Sequence, residues 1–444
     1  MFFLLILLLV AITNSSSNSW GQLGQNIDGE AAGDRSGRSV SMSSDGQIVA
    51  IGAHFNDGNG DDSGHTRVYR FNGTAWSQLG QDIDGEAEGD KFGNSVSLSA
   101  DGETIAIGAP ENDGNGDDSG HTRVYRFDGT TWSQLGQDID GQAGGDHSGT
   151  SVSLSSDGKI VAIGAPYNDG NGQLAGHFRV YRFGGTTWSQ LGQDIDGEAA
   201  GDQSGTSVSL SSDGMIVAIG APYADGYDNN AGHVRVYRFD GTTWSQLGQD
   251  IDGEGWWDNS GRVVSLSSNG RIVAIGAISN DGNGDFGDNK GHVRVYIFGG
   301  TTWSQLGQDI DGEADGDYSG RSVSLSSNGM TVAIGARNND DNGQDSGHAR
   351  VYRFGGTTWS QLGQDLDGEA AGDLFGQSVS LSSDGETVTI GATFNDEQTG
   401  HVSVYKLQTT DESGIDNDTI WIIVIGVVTP TISAMVIYYF SKKS

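Results

Sequence analysis

The motif Trp-x-Gln-Leu-Gly occurs seven times, at Trp20, Trp76, Trp132, Trp188, Trp244, Trp303 and Trp359. Successive copies lie 56 residues apart, with one step of 59. A period of this length restricts the fold to small units that stack or close on one another, because one such unit cannot bury its own apolar face. Each unit divides into four short runs. In the second copy they are "SVSLS" (95–99), "TIAIGAP" (104–110), "HTRVYRF" (121–127) and "TWSQLGQDI" (131–139). The runs alternate or are β-rich, and Gly, Asp and Asn turns separate them. "SADG" and "FDGTT" are short enough for hairpins. Four antiparallel strands repeated around an axis give an all-β, seven-bladed β-propeller. The repeats begin with a fourth strand (20–27) and end with a third, "HVSVYKL" (401–407). The first segment is therefore expected to complete the last blade and leave no open edge.

"FGNSVSLSADGETIAIGAP" (92–110) resembles the FG-GAP repeat of the integrin α-subunit propeller, with Phe92-Gly93 and Gly108-Ala109-Pro110 at its two ends. "VYRFDGTTWSQL" (124–135) is similar to the second half of a kelch repeat. Together the likeness spans residues 20–407. It implies a propeller and, by analogy, a part in extracellular ligand binding or adhesion.

Composition narrows the function. The 73 glycines and 4 prolines suit short strands and tight turns. Asp and Glu number 59 against 23 Lys and Arg, a net charge of -36. Such a surface repels phosphate backbones, which excludes nucleic acid, and favours cations or a cationic partner. Without cysteine the chain forms no disulfide, zinc–thiolate site or cysteine nucleophile.

The ends carry apolar segments. Residues 1–19 read as a signal peptide, with an apolar run from Phe2 to Ile12 too short to span a bilayer. "IWIIVIGVVTPTISAMVIYYF" holds no charge over 21 residues, about 31 Å as a helix. Lys442 and Lys443 follow and assign the cytoplasmic side. The expected layout is a propeller ectodomain (20–407), an acidic linker (408–418), a transmembrane helix (419–441) and a cytoplasmic tail (442–444). That is a single-pass type I membrane protein, with its ectodomain extracellular or lumenal.

The seven copies serve as an internal control. A residue found in every blade is expected to be scaffold, since one active site needs its chemistry once. This applies to the repeated Trp, to the Ser of the first strands, and to the His after each Gly, which is expected to be a structural hydrogen-bonding residue. No acid–base pair occurs once only, so no enzyme is expected. In an antiparallel blade the 4–1 and 2–3 loops share one face. These are the long acidic loops, such as "DIDGEAAGD" and "NDGNGDDSG", whereas the other face has tight turns.

Three 2–3 loops carry Asp-x-Asn-x-Asp: Asp57, Asn59 and Asp61; Asp113, Asn115 and Asp117; Asp281, Asn283 and Asp285. Oxygen ligands at alternate positions suit calcium, the one cofactor these residues suggest, although such residues make turns in any case. Solvated Asp/Asn/Gly turns are the competing reading. Departures from the repeat fall on the same face: His54-Phe55, Tyr167, Tyr223, Tyr227, Phe286, Arg337, Phe394, and Trp256-Trp257 within "GEGWWDNSG". Exposed aromatics bind proteins and sugars. Trp256, Trp257, Tyr223 and Tyr227 are the candidate ligand-binding residues, and an extracellular protein or glycan is the expected partner. Asn72, in "NGT", is a glycosylation sequon on a 3–4 turn. The leading reading is a cell-surface ligand-binding or adhesion protein. The alternatives are a carbohydrate-binding module and a structural surface-coat protein.

Overall fold

A computed structural model describes residues 16–225, 229–281 and 287–411. The signal peptide up to residue 15, Tyr227, Asn283, Asp285, Phe286, the linker from residue 412 and the expected membrane span lie outside them. Among the described residues no helix is long and apolar enough to cross a membrane, and the helix present is the short Asn395–Gln398.

Residues 20–406 form one compact unit, built from seven sheets. In blade 2 the strands are Ser95–Leu98, Thr104–Ala109, His121–Phe127 and Trp132–Gln134, paired antiparallel in order. The ring closes as expected. Ser16–Gln22 and Ile27–Asp28 pair with His401–Asp411 and complete blade 7.

The expected fourth strand over 131–139 is broken. Trp132–Gln134 and Ile139–Asp140 each pair with the third strand, and the chain steps out between them. Gly136 sits in that step at φ +82°, and a Cβ there would lie 2.8 Å from Cδ1 of Trp188 in the next blade. The step makes a latch. Nε1 of Trp188 donates to the Leu135 carbonyl at 2.6 Å. Gln137 accepts from the Trp188 main-chain N–H (3.0 Å) and donates to its carbonyl (2.9 Å). The same three bonds recur at every interface, and Trp20 makes them to Leu362 and Gln364 across the closure. The seven latch tryptophans are 4–5% exposed. The motif Trp-x-Gln-Leu-Gly-Gln is thus a blade-to-blade coupling, which accounts for its repetition.

Two further rings surround the axis. In each first strand one serine hydroxyl accepts from a main-chain N–H of the next blade: Ser41 from Leu98, Ser97 from Leu154, Ser153 from Leu210, Ser209 from Leu266, Ser265 from Leu325 and Ser324 from Leu381. Ser380 closes the circle on Met42 at 3.0 Å. On the tight-turn face, main-chain bonds run from Ser44 through Ala100, Ser156, Ser212, Ser268, Ser327 and Ser383 back to Ser44, each 2.9–3.0 Å. The alternate residues of the same strands are apolar. Val96 and Leu98, with Ile105 and Ile107, pack against Ile48, Ala50 and Val68 of the preceding blade. Strand alternation thus assigns hydroxyls to one interface and aliphatic side chains to the other.

Candidate functional site

The 2–3 loop of blade 1 ends at His65, which stands opposite both Ala53 and Asp84. Asp84 is where the following 4–1 loop begins, so the long loops share a face, as the repeat pattern implies. An internal clamp fixes them. Asp34, 3% exposed, accepts from the Ala31 N–H at 3.1 Å and from Asn56 Nδ2 at 3.1 Å. Asp146 with Asn168, Asp258 with Asn280 and Asp317 with Asn339 repeat the pairing between a 4–1 and a 2–3 loop. These carboxylates are scaffold.

The Asp-x-Asn-x-Asp residues are engaged one by one rather than together. Asp57 Oδ1 accepts from the Asp62 N–H at 2.8 Å. Asn59 Nδ2 donates to the Gly85 carbonyl at 2.9 Å, and the Asp61 carbonyl accepts from Gly89. Asp113, Asn115 and Asp117 repeat the pattern toward Asp118, Gly141 and Gly145. Asp281 holds the Gly287 and Asn289 N–H groups.

The acidic groups that converge are others. Glu30 and Asp82 gather at His65, Glu86 and Asp138 at His121, Asp250 and Asp252 at His233, and Glu254 and Asp309 at His292. Glu313, Asp341 and Asp365 gather at His348, with donor atoms within 4.8 Å of one another. An arginine two residues after the His enters each group: Arg67 pairs with Glu30 (3.2 Å), Arg294 with Glu254 (3.2 Å) and Arg350 with Glu313 (3.0 Å). Arg123 pairs with Glu86 and Asp138, and Arg235 with Glu198 and Asp250. Each guanidinium supplies counter-charge to one or two of the carboxylates.

The seven histidines are buried, and burial lowers the pKa of His65, His121, His177, His233, His292 and His348. Burial, then the neighbouring Arg, pushes His65, His177 and His292 down to about 4. Their expected hydrogen-bonding role is only partly realised: both ring nitrogens of His348, and Nε2 of His121 and His401, have no hydrogen-bond partner. His121, His348 and His401 act mainly as packed rings.

Aromatic departures sort into two kinds. Phe55 and Phe394 flank the Arg35 guanidinium at 4.5 and 4.6 Å, and Lys91 stands 4.0 Å over Phe55. An open depression of about 300 Å³ beside them is lined by Arg35, Phe55, Asp57 and Asp62. Tyr223 is half-buried. In contrast, Trp256 is 51% and Trp257 54% exposed, and Tyr167 and Leu174 join them at 38% and 37%. Among the described residues these are the exposed large apolar side chains, and all four lie in 4–1 or 2–3 loops.

Trp257 also sits at φ +66°. Six other 4–1 loops have glycine at that place, from Gly33 to Gly372, at φ +82 to +94°, where a Cβ would meet nothing within 4 Å. A left-handed L-residue costs about 1–2 kcal/mol. The scaffold therefore carries a strained residue to hold an indole in open space.

Four segments match the FG-GAP repeat: 28–69, 83–125, 310–352 and 366–405. Four of the seven blades thus carry the FG-GAP repeat. Each matched segment runs from the end of a fourth strand through the third strand of blade 1, 2, 6 or 7. The structure accounts for the glycines of the motif. A Cβ on Gly108 would lie 2.0 Å from the Gly149 carbonyl oxygen of the next blade, so the two glycines meet across the interface. None of the curated proteins matches the chain.

The FG-GAP face has one feature that loop composition does not convey: its centre is basic. The residue that leads into each first strand is Arg38, Arg262 and Arg321 in blades 1, 5 and 6, and Asn, Thr or Gln in the others. Reading down that single column of the repeat would have found it.

Proposed function

We propose that the FG-GAP propeller is a ligand-binding or adhesion module that engages its partner through the 4–1/2–3 loop face. The observation that carries this reading is the location of the exposed apolar side chains: Trp256, Trp257, Tyr167 and Leu174 all lie on that face, with Trp257 held there against its backbone preference. Large apolar groups gathered on one surface of a highly charged protein mark an interaction site. The adjacent indoles also favour a second reading, stacking on a sugar ring. The sequence supports a type I topology, in which residues 419–441 anchor the propeller and the face looks into the extracellular or lumenal space.

The test uses the full-length protein and a variant carrying Trp256→Ala and Trp257→Gly, the residues blade 7 has at those two positions, Ala371 and Gly372. Binding to cell surfaces and to a glycan array is measured for both. Loss of binding by the variant, with an unchanged thermal midpoint, supports the reading, and glycan signals lost with it favour the sugar. Equal binding by both proteins refutes the role given to the tryptophans.

A further inference from the structure

Four arginines converge at the axial mouth of this face. Arg262 lies in the bulge of strand Ser260–Leu266, between Ser260 and Val263. Bulges re-aim side chains. Arg38 and Arg321 occupy the same place in blades 1 and 6, and Arg337 comes from the 2–3 loop of blade 6. Residues of this column touch from blade to blade: Arg38 reaches Asn94, Asn94 Nδ2 reaches the Thr150 carbonyl, and Arg337 reaches Gln377, the column's residue in blade 7. Arg262 lies within the field of Arg38, Arg321 and Arg337.

Their partners are neutral. Arg38 donates from Nε and Nη2 to Asn94 Oδ1 at 3.3 and 3.2 Å. Arg337 donates to Gln377 Oε1 at 2.8 Å and to Asn338 Oδ1 at 3.2 Å. Amide oxygens orient a guanidinium without neutralising it. Among the described residues no carboxylate forms an ion pair with any of the four, although the chain has 59 acidic residues. One buried donor is left over, Nε of Arg321, and the buried Nδ1 of His54, 8% exposed and within the field of Arg38, also has no hydrogen-bond partner. Asp345, held by Asn338, acts on Arg337 from outside hydrogen-bond range; like charges held together with so little counter-charge are costly unless something supplies more.

We propose that this mouth binds an oxyanion of the sulfate or phosphate class through Arg38, Arg262, Arg321 and Arg337. Planar guanidinium forks match the paired oxygens of such an anion. The anion enters at the axis, inside the acidic rim. It is either a free ion or an ester group on a larger ligand.

The experiment compares the full-length protein with an Arg262→Thr, Arg321→Thr variant. Threonine is what blades 3 and 4 carry at that position, as Thr150 and Thr206, so the scaffold accepts it. Calorimetric titration with sodium sulfate and sodium phosphate is run against sodium chloride at matched ionic strength. A second arm compares a sulfated monosaccharide with its unsulfated parent. The expected result is binding of sulfate or phosphate beyond chloride, weakened at least about tenfold in the variant. The variant's anion-free thermal midpoint is expected to rise, because repulsion is relieved. Binding in the first arm identifies a free ion, and binding confined to the second identifies an ester group. No anion-specific binding in either arm, or undiminished binding by the variant, overturns the proposal. The Trp256→Ala, Trp257→Gly protein keeps this site, so failure here and failure of the ligand face are separable.

Discussion

Gly136 and Gly145 offer a controlled comparison. Both lie between blades 2 and 3, and both have φ +82°. A Cβ on Gly136 meets Trp188 Cδ1 at 2.8 Å, whereas a Cβ on Gly145 meets nothing within 4 Å. Alanine at Gly145 therefore costs backbone strain alone. That is about 1–2 kcal/mol, less about 0.4–1 kcal/mol from the stiffer unfolded chain, or about 1 kcal/mol net. Alanine at Gly136 adds overpacking against an indole that is 4% exposed and hydrogen-bonded, about 1–3 kcal/mol more. The expected losses are about 1 kcal/mol for Gly145→Ala and about 2–4 kcal/mol for Gly136→Ala. Urea denaturation of both variants, read as midpoints at constant slope, measures the difference. Losses equal within about 0.5 kcal/mol would refute the argument, because the indole would then not be what requires glycine in the latch.

Other perturbations follow from the same structure. With His65, His177 and His292 held near 4 in the folded chain against an ordinary 6.5, the unfolded chain takes up protons first as pH falls. Stability should be flat above pH 7 and decline between pH 6.5 and 4, which thermal midpoints across that range will show. Trp20→Phe keeps an aromatic side chain, though a smaller one, and removes the Nε1 donation to Leu362. It should cost about 1–3 kcal/mol in urea unfolding by leaving a buried carbonyl without its donor. Millimolar calcium should give no rise in thermal midpoint beyond that of magnesium, since Asp57 and Asp113 already cap their own loops.

Much of the architecture is legible because a repeat exposes its own rules. Seven copies give the blade count, the period-2 runs give the strands, and the mismatched ends give the closure. What escapes the sequence depends on neighbours from other blades. The break in the fourth strand is written as Gly136, but its cause is Trp188, 52 residues on. Phe55 and Phe394 look like spare aromatics until Arg35 is found between them. The basic mouth is assembled from residues of three blades, each inconspicuous among 59 acids. Trp257 could be noticed as a departure, but the strain it carries shows only in the backbone.

The latch has a consequence for folding. Every blade offers the same tryptophan to the same carbonyl, so the coupling recognises a blade and not which blade it is. A chain can engage one repeat out of step and satisfy all three bonds at each junction it makes. The mistake becomes costly only at the end of the ring, where Trp20 must find Leu362 and Gln364. A miscounted ring leaves that strand without its place and two edges open. The closing strand therefore acts as a counting device, because its latch is met only by a ring of all seven blades.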